Sequence, residues 1–280
     1  MMARVKNEFV STVSHELRTP LTSIAGALEL IEAGVTGELP EKAHEMVRIA
    51  FQNSQRLIRL INDILDIEKI ESGRMAFERK LMPLRPLIER AVTETESFAA
   101  GFKVTLLFMP GEDLMAWVDP DRFLQVVTNL LSNAAKFSPA GGTVDVLLAR
   151  QDGKVRVSVV DHGPGIPENF RNRLFEKFAQ ADSSDRRAKG GTGLGLAIVK
   201  GIVERFGGTI SFETALGAGT TFHVDLPEGG ERAAGPAVQD KPRILVLEDD
   251  IASAALLEAI CRDLGCDCDV AHSTVGARRL

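Results

Sequence analysis

Apolar residues Phe9, Val13, Leu17, Leu21, Ile24, Leu28 and Ile31 recur at spacings of three and four, the period of one face of a helix. Gly34, Gly37 and Pro40 interrupt that pattern and predict a turn. A second stripe runs through Ala43, Val47, Ala50, Ser54, Leu57, Ile61, Ile64 and Ile67 and ends near Ser72 and Gly73. The two stripes predict an antiparallel helical hairpin. One hairpin cannot cover both apolar faces, so a second copy is expected against the first, giving a dimeric four-helix bundle.

From about residue 84 the period changes. Helices are predicted over 87–99, 121–137 and 193–206, and strands over 103–108, 143–150, 155–161, 209–214 and 220–226. This mixture, with strand pairs near its end, predicts an α/β sandwich on a mixed sheet, so the chain is α+β in class. Residues 229–241 are rich in Gly, Ala, Pro and charge and read as a flexible linker. After it, Arg243-Ile244-Leu245-Val246-Leu247 reads as a short buried strand that runs into the carboxylates Glu248, Asp249 and Asp250. An Ala/Leu-rich helix and a second strand around 267–271 are expected next. The expected segments are therefore 1–82, 83–228, 229–241 and 242–280.

Composition narrows the function classes. The 280 residues carry a formal net charge of −6 with both signs interspersed, which argues against nucleic acid or an anionic membrane as partner. No apolar run approaches the roughly 18 residues of a membrane span, so a cytoplasmic chain is expected, with any membrane attachment of a parent protein lying further upstream. Cys261, Cys266 and Cys268 have poor zinc spacing and read as small reduced residues.

The stretch Phe9-Val10-Ser11-Thr12-Val13-Ser14-His15-Glu16-Leu17-Arg18-Thr19-Pro20-Leu21 places a histidine beside a carboxylate on the first helix. A neutral imidazole is a nucleophile near pH 7, and Glu16 can accept or orient its second ring proton. Pro20 removes the hydrogen bond to the carbonyl of residue 16, so a bend is expected there.

A second set of residues looks built to hold a nucleotide. Asn129 and Asn133 fall at i and i+4 on one face of the 121–137 helix, where two amide oxygens can enter a Mg²⁺ shell shared with phosphate and water. Lys136 follows within reach of a phosphate. Asp161-His162-Gly163-Pro164-Gly165-Ile166 ends a hydrophobic strand, where an aspartate can accept from an adenine amino group. Gly190-Gly191-Thr192-Gly193-Leu194-Gly195-Leu196 runs straight into a helix, and free N–H groups with a positive dipole end suit a phosphate chain. Gly217-Ala218-Gly219-Thr220 is a third glycine turn. Between the second and third of these motifs lie Phe175-Glu176-Lys177-Phe178 and a polar stretch, 181–189, that reads as a lid carrying Arg186 and Arg187.

On these residues the chain resembles the sensor histidine kinases of two-component signalling. His15-Glu16-Leu17-Arg18-Thr19-Pro20 looks like the family's H box. Asn129 to Asn133 resembles the N box, Asp161 to Gly165 the first glycine box, Phe175 to Phe178 the F box, and Gly191 to Gly195 the second glycine box. The resemblance covers residues 1 to about 228. It implies a dimerisation and phosphotransfer hairpin, a Bergerat/GHKL ATP-binding sandwich, and an incomplete flavodoxin-like receiver fragment at the C-terminus. Such a fragment would supply acidic-pocket carboxylates without the phosphoacceptor aspartate of a third strand. It also implies ATP and Mg²⁺ as cofactors, with contacts from Asn129, Asn133, Lys136, Asp161, Gly163, Gly165, Ile166, Phe178, Arg187, Gly191, Thr192, Gly193, Leu194, Gly195 and Thr220. The implied reaction is autophosphorylation of His15 with Glu16 as general base, followed by transfer to a response-regulator receiver domain. A phosphatase role with Thr19 positioning the attacking water is implied as well.

Two other readings stay open. A GHKL-type ATPase of the gyrase or MutL kind shares the ATP fold, but it carries a water-activating glutamate where Asn129 stands and gives the H box no role. A non-catalytic dimeric signalling scaffold leaves the ATP motifs unexplained. His44, His162, His223 and His272 have no adjacent acid in a comparable setting.

Overall fold

The computed structural model describes residues 2–35, 37, 39–109, 111–179, 191–229, 243–247 and 267–271, with side chains from residue 17 to 229 within those ranges. Both long helices form as the periodicity predicts, α1 over Met2–Glu32 and α2 over Glu41–Glu71. Between them Gly34 and Gly37 take φ of 76° and 99°, and Pro40 caps α2. Helix α1 continues through Pro20 as one element. Ala25, Ser54, Ile61 and Leu65 are buried within the helical region, and Arg18 Nη2 ties α1 to α2 by donating to Asn62 Oδ1 at 2.8 Å. Several apolar side chains of the two helices stay outside. Leu17, Ile24, Leu30, Ile49 and Leu57 are exposed, and Met46 is 73% exposed.

The next elements are β1 (Lys80–Pro83), α3 (Leu84–Gly101), β2 (Thr105–Met109), β3 (Met115–Val118) and α4 (Pro120–Phe137). They are followed by β4 (Thr143–Gln151), β5 (Lys154–Asp161), the short α5 (Glu168–Arg171), α6 (Gly195–Arg205), β6 (Thr209–Ala215) and β7 (Gly219–Pro227). Five strands form a sheet in the order β2-β4-β5-β7-β6. β2 runs parallel to β4 and every other pair is antiparallel, so the sheet is mixed, as expected. The alternation along β4 turns Val144, Val146 and Leu148 inward. On that face they join Val155, Val157 and Val159 of β5 and Val224 and Leu226 of β7 in one core, with Leu84 and Ile88 of α3, Phe123, Leu130 and Leu131 of α4, and Ile198 and Ile202 of α6. Each such side chain contributes on the order of 1.5–3 kcal/mol by leaving water.

Helix α4 has clear local causes. Asp119 Oδ1 accepts from the N–H groups of Asp121 and Arg122, Pro120 occupies the first turn, and Lys136 sits in the last turn where a cation suits the dipole. Asp119 Oδ2 also accepts from the Glu78 N–H at 2.9 Å, which ties the approach to β1 to the start of α4.

Three features depart from the sequence reading. β1 and β3 pair antiparallel in a small sheet of their own that was not expected. The strand expected from residue 103 starts at Thr105, because Lys103 turns at φ 59° and its carbonyl accepts from the Gly141 N–H at 2.7 Å. The helix expected from Gly193 starts at Gly195, because Gly193 has φ 71°. The hairpin also packs against the sandwich: a Cβ at Gly201 of α6 would lie 2.7 Å from Ile70 Cγ2 of α2, and Lys177 pairs with Glu71.

In a separate C-terminal unit, β8 (Arg243–Leu247) pairs in parallel with β9 (Asp267–Ala271). The helix expected between them, the carboxylates Glu248, Asp249 and Asp250, and the linker lie outside the described residues.

Candidate functional site

Asp161 ends β5 with its side chain almost fully buried. Its Oδ1 accepts from the backbone N–H of Gly163 at 2.9 Å and of Thr220 at 3.2 Å. Oδ2 has no hydrogen bond among the described residues. Burial raises the carboxyl above the ordinary carboxylate range, opposed by those two N–H groups and by His162.

Two glycines make this closeness possible. A Cβ at Gly163 would stand 2.8 Å from the Phe137 carbonyl oxygen and 2.9 Å from Asp161 Oδ1. At Gly219, where φ is 96°, a Cβ would stand 2.0 Å from the Asp161 carbonyl oxygen. Gly219→Ala is therefore expected to cost about 2–4 kcal/mol, read as a lower denaturant midpoint with an unchanged slope. A midpoint equal to that of the parent chain would contradict the packing described.

Gly165 approaches the Ala215 carbonyl in the same manner. The Ile166 N–H donates to Thr214 Oγ1 at 2.9 Å, and that hydroxyl in turn donates to the Gly219 carbonyl and meets Thr220 Oγ1 at 3.0 Å. Sequence reading missed Thr214. Its signal was the cross-strand register of Thr214 with Thr220.

The polar face of α4 meets the glycine run 191–195. Asn129 and Asn133 are both half-buried, and Asn129 Oδ1 lies 3.4 Å from where a Gly195 Cβ would stand. Lys136 Nζ lies 2.8 Å from the corresponding point on Gly191 and 4.9 Å from the centre of the Phe137 ring. Leu194 is buried and caps α6, while a Cβ at Gly193 would stand 2.9 Å from the backbone of Phe178. Phe178 itself has φ 60° and is 60% exposed, a conformation that a bulky residue adopts only under constraint. The structure thus joins Asn129, Lys136, Phe178 and the run from Gly191 to Gly195, which sequence spacing alone could not do.

Thr192 donates its hydroxyl to Asp63 of α2 at 2.8 Å, and Gln125 of α4 donates to Asp66 at 2.6 Å. Neither carboxylate was singled out from the sequence. Thr19 is exposed on α1, and its carbonyl accepts from the Ser23 hydroxyl at 3.2 Å. The side chains of His15 and Glu16 and all of Arg186, Arg187 and Gly190 lie outside the described residues.

Two protein families match the two halves of this architecture. Residues 5–73 match the "His Kinase A (phospho-acceptor) domain", and residues 118–230 match the "Histidine kinase-, DNA gyrase B-, and HSP90-like ATPase". The chain is 36% identical over 260 residues to the circadian input-output histidine kinase CikA of Synechococcus elongatus, covering 90% of this chain and 34% of that protein. It is 37% identical over 233 residues to the signal transduction histidine-protein kinase BarA of Escherichia coli K12, covering 80% of this chain and 25% of that one. It therefore spans about a third or less of these curated relatives. The crystal structure of full-length ShkA in complex with AMPPNP superposes with a TM-score of 0.63 at 28% identity, over 98% of this chain and 57% of that chain. Among the described residues no helix is long and apolar enough to cross a membrane. With a phosphoacceptor hairpin joined to an ATP-binding α/β sandwich, the chain belongs to the sensor histidine kinases.

Proposed function

We propose that this chain transfers the γ-phosphoryl group of ATP to its own His15 and then to an aspartate of a response-regulator receiver domain. The observation that carries the reading is Asp161, whose Oδ1 is held by two backbone N–H groups at the end of the same sheet that borders the Asn129–Lys136 face. Oδ2 is then available to the adenine amino group, with Gly163, Gly165, Ile166 and Thr220 shaping the space around the ring. The loop Gly191, Thr192, Gly193, Leu194 and Gly195 lies along the phosphates, with the Leu194 N–H held by Thr192 Oγ1, and it is joined by Lys136, Phe178 and, from the lid, Arg187.

The amide oxygens of Asn133 and Asn129 fit Mg²⁺ as minority ligands beside phosphate oxygens and water. Bound there, Mg²⁺ supplies charge neutralisation on the phosphates. A ring nitrogen of His15 attacks the γ-phosphorus in line, the P–O bond to the β-phosphate breaks, and ADP leaves with that oxygen. Glu16 takes the other ring proton. Positioning carries most of the rate, since the reaction asks little covalent chemistry of the protein.

The exposed apolar side chains of the hairpin, Leu17, Ile24, Leu30, Met46, Ile49 and Leu57, support a homodimer, because apolar surface of that extent favours a partner. The proposed boundaries are 1–82 for dimerisation and phosphotransfer, 83–228 for ATP binding, 229–241 for a linker and 242–280 for a receiver fragment. The parallel β8–β9 pair supports the last of these. Thr19, exposed beyond His15, suits a water-positioning role in a phosphatase reaction. A cytoplasmic setting fits a receiver domain as partner.

The test is a MgATP titration of the intact chain and two variants. Asn133→Ala is expected to remove the Mg²⁺-dependent part of the affinity, and Asp161→Asn to weaken binding about 10- to 100-fold through loss of a charge-assisted hydrogen bond. Wild-type affinity in both variants would overturn the site.

A further inference from the structure

Asp63 borders the glycine run 191–195 through Thr192 and has no part in the nucleotide reading. Asn129 and Lys136 bring an amide and an ammonium to this loop. Asp63 brings a carboxylate from the phosphoacceptor hairpin. Its Oδ2 accepts the Thr192 hydroxyl at 2.8 Å, and the same hydroxyl oxygen accepts from the Leu194 N–H at 3.2 Å, at the cap of α6. Burial raises the Asp63 carboxyl above the ordinary range against the opposing effect of Thr192, so this charge is held where water is scarce. One turn on, Asp66 accepts from Gln125 and faces Arg122 at 3.6 Å, so α2 holds α4 and the glycine run together.

Thr192 has a single hydroxyl proton. It can satisfy Asp63 or a phosphate oxygen, not both. A carboxylate already held at the loop also repels a second anion arriving there. Building on the nucleotide reading above, we propose that Asp63 and the phosphate chain compete for the Thr192 loop. Asp63 occupies the Thr192 hydroxyl while the site is empty, and entering phosphates displace it from the loop. Because such coupling is reciprocal, removing the docked contact must strengthen nucleotide binding.

The test uses the intact chain and MgADP, which binds without transferring a phosphoryl group, titrated by calorimetry. Asp63→Asn removes the charge and keeps an oxygen to accept from Thr192. Its affinity for MgADP is expected to rise about five- to tenfold, and Asp63→Ala should move in the same direction. Asp66→Asn, which loosens docking away from the loop, should stay within about twofold of the parent chain. Unchanged or weaker binding in Asp63→Asn would overturn the competition. Equal tightening in Asp66→Asn would overturn it too, since general undocking would then explain both. If no chain bound MgADP, the nucleotide reading itself would fall and take the competition with it.

Discussion

Replacing His15 by glutamine is expected to leave the chain without any stable phosphoryl group while MgATP affinity stays at the parent value. Glutamine keeps a polar side chain of similar reach but has no nucleophilic ring nitrogen. No described histidine is placed to substitute. His44 is exposed on α2, where its ring has no carboxylate partner among the described residues. His162 sits in the turn after β5 with Nε2 at 3.5 Å from Asp145 Oδ2. His223 packs its Nδ1 on the Ser158 hydroxyl at 2.8 Å within the sheet, and its other ring nitrogen is enclosed. Burial and the nearby Arg156 charge lower its pKa, so the ring is neutral at pH 7 but sterically withdrawn. Incorporation from γ-labelled ATP, measured beside a nucleotide titration, separates the two properties. Label at the parent level in His15→Gln would reassign the acceptor.

The second large effect is kinetic. Glu16→Gln is expected to slow transfer by about 10²–10⁴, the usual contribution of a positioned base, with nucleotide affinity nearly unchanged. The carboxylate accepts a proton from the nucleophile, and glutamine can orient the ring but cannot take that proton. The loss should therefore appear in single-turnover labelling at saturating ATP and not in the titration. Lower affinity with an undiminished rate would place Glu16 in nucleotide binding instead of proton transfer.

Much of the architecture is legible because its signals are local. The hairpin follows from stripes spaced three and four, and the paired amides Asn129 and Asn133 follow from one helical turn. The Asp161 turn and the glycine run announce themselves by residue types that few other contexts require. What escaped the sequence depends on long-range pairing. Lys80-Leu81-Met82-Pro83 and Met115-Ala116-Trp117-Val118 are too short to show a period, and they become strands only by pairing with each other. Lys103 enters the left-handed region because Gly141 donates to its carbonyl, which propensity does not foretell.

Asp63 and Asp66 are the clearest case. On α2 they read as ordinary solvated carboxylates, because their partners Thr192 and Gln125 lie 129 and 59 residues away. Thr192 was legible as part of a glycine-rich loop, but its bond to the hairpin was not. The polar contacts between modules are thus the least predictable part of the site, and one of them, Asp63 on Thr192, is where the competition with nucleotide is proposed.

The proposed chemistry comes down to a phosphorus–nitrogen bond formed by the chain on itself. The most direct measurement incubates the protein with Mg²⁺ and γ-labelled ATP, denatures it, and divides it between acid and alkali. The label is expected to be lost in acid and retained in alkali, as a phosphorylated histidine ring requires. A label retained in acid, or ATP turnover to ADP and free phosphate with no labelled protein, would contradict it.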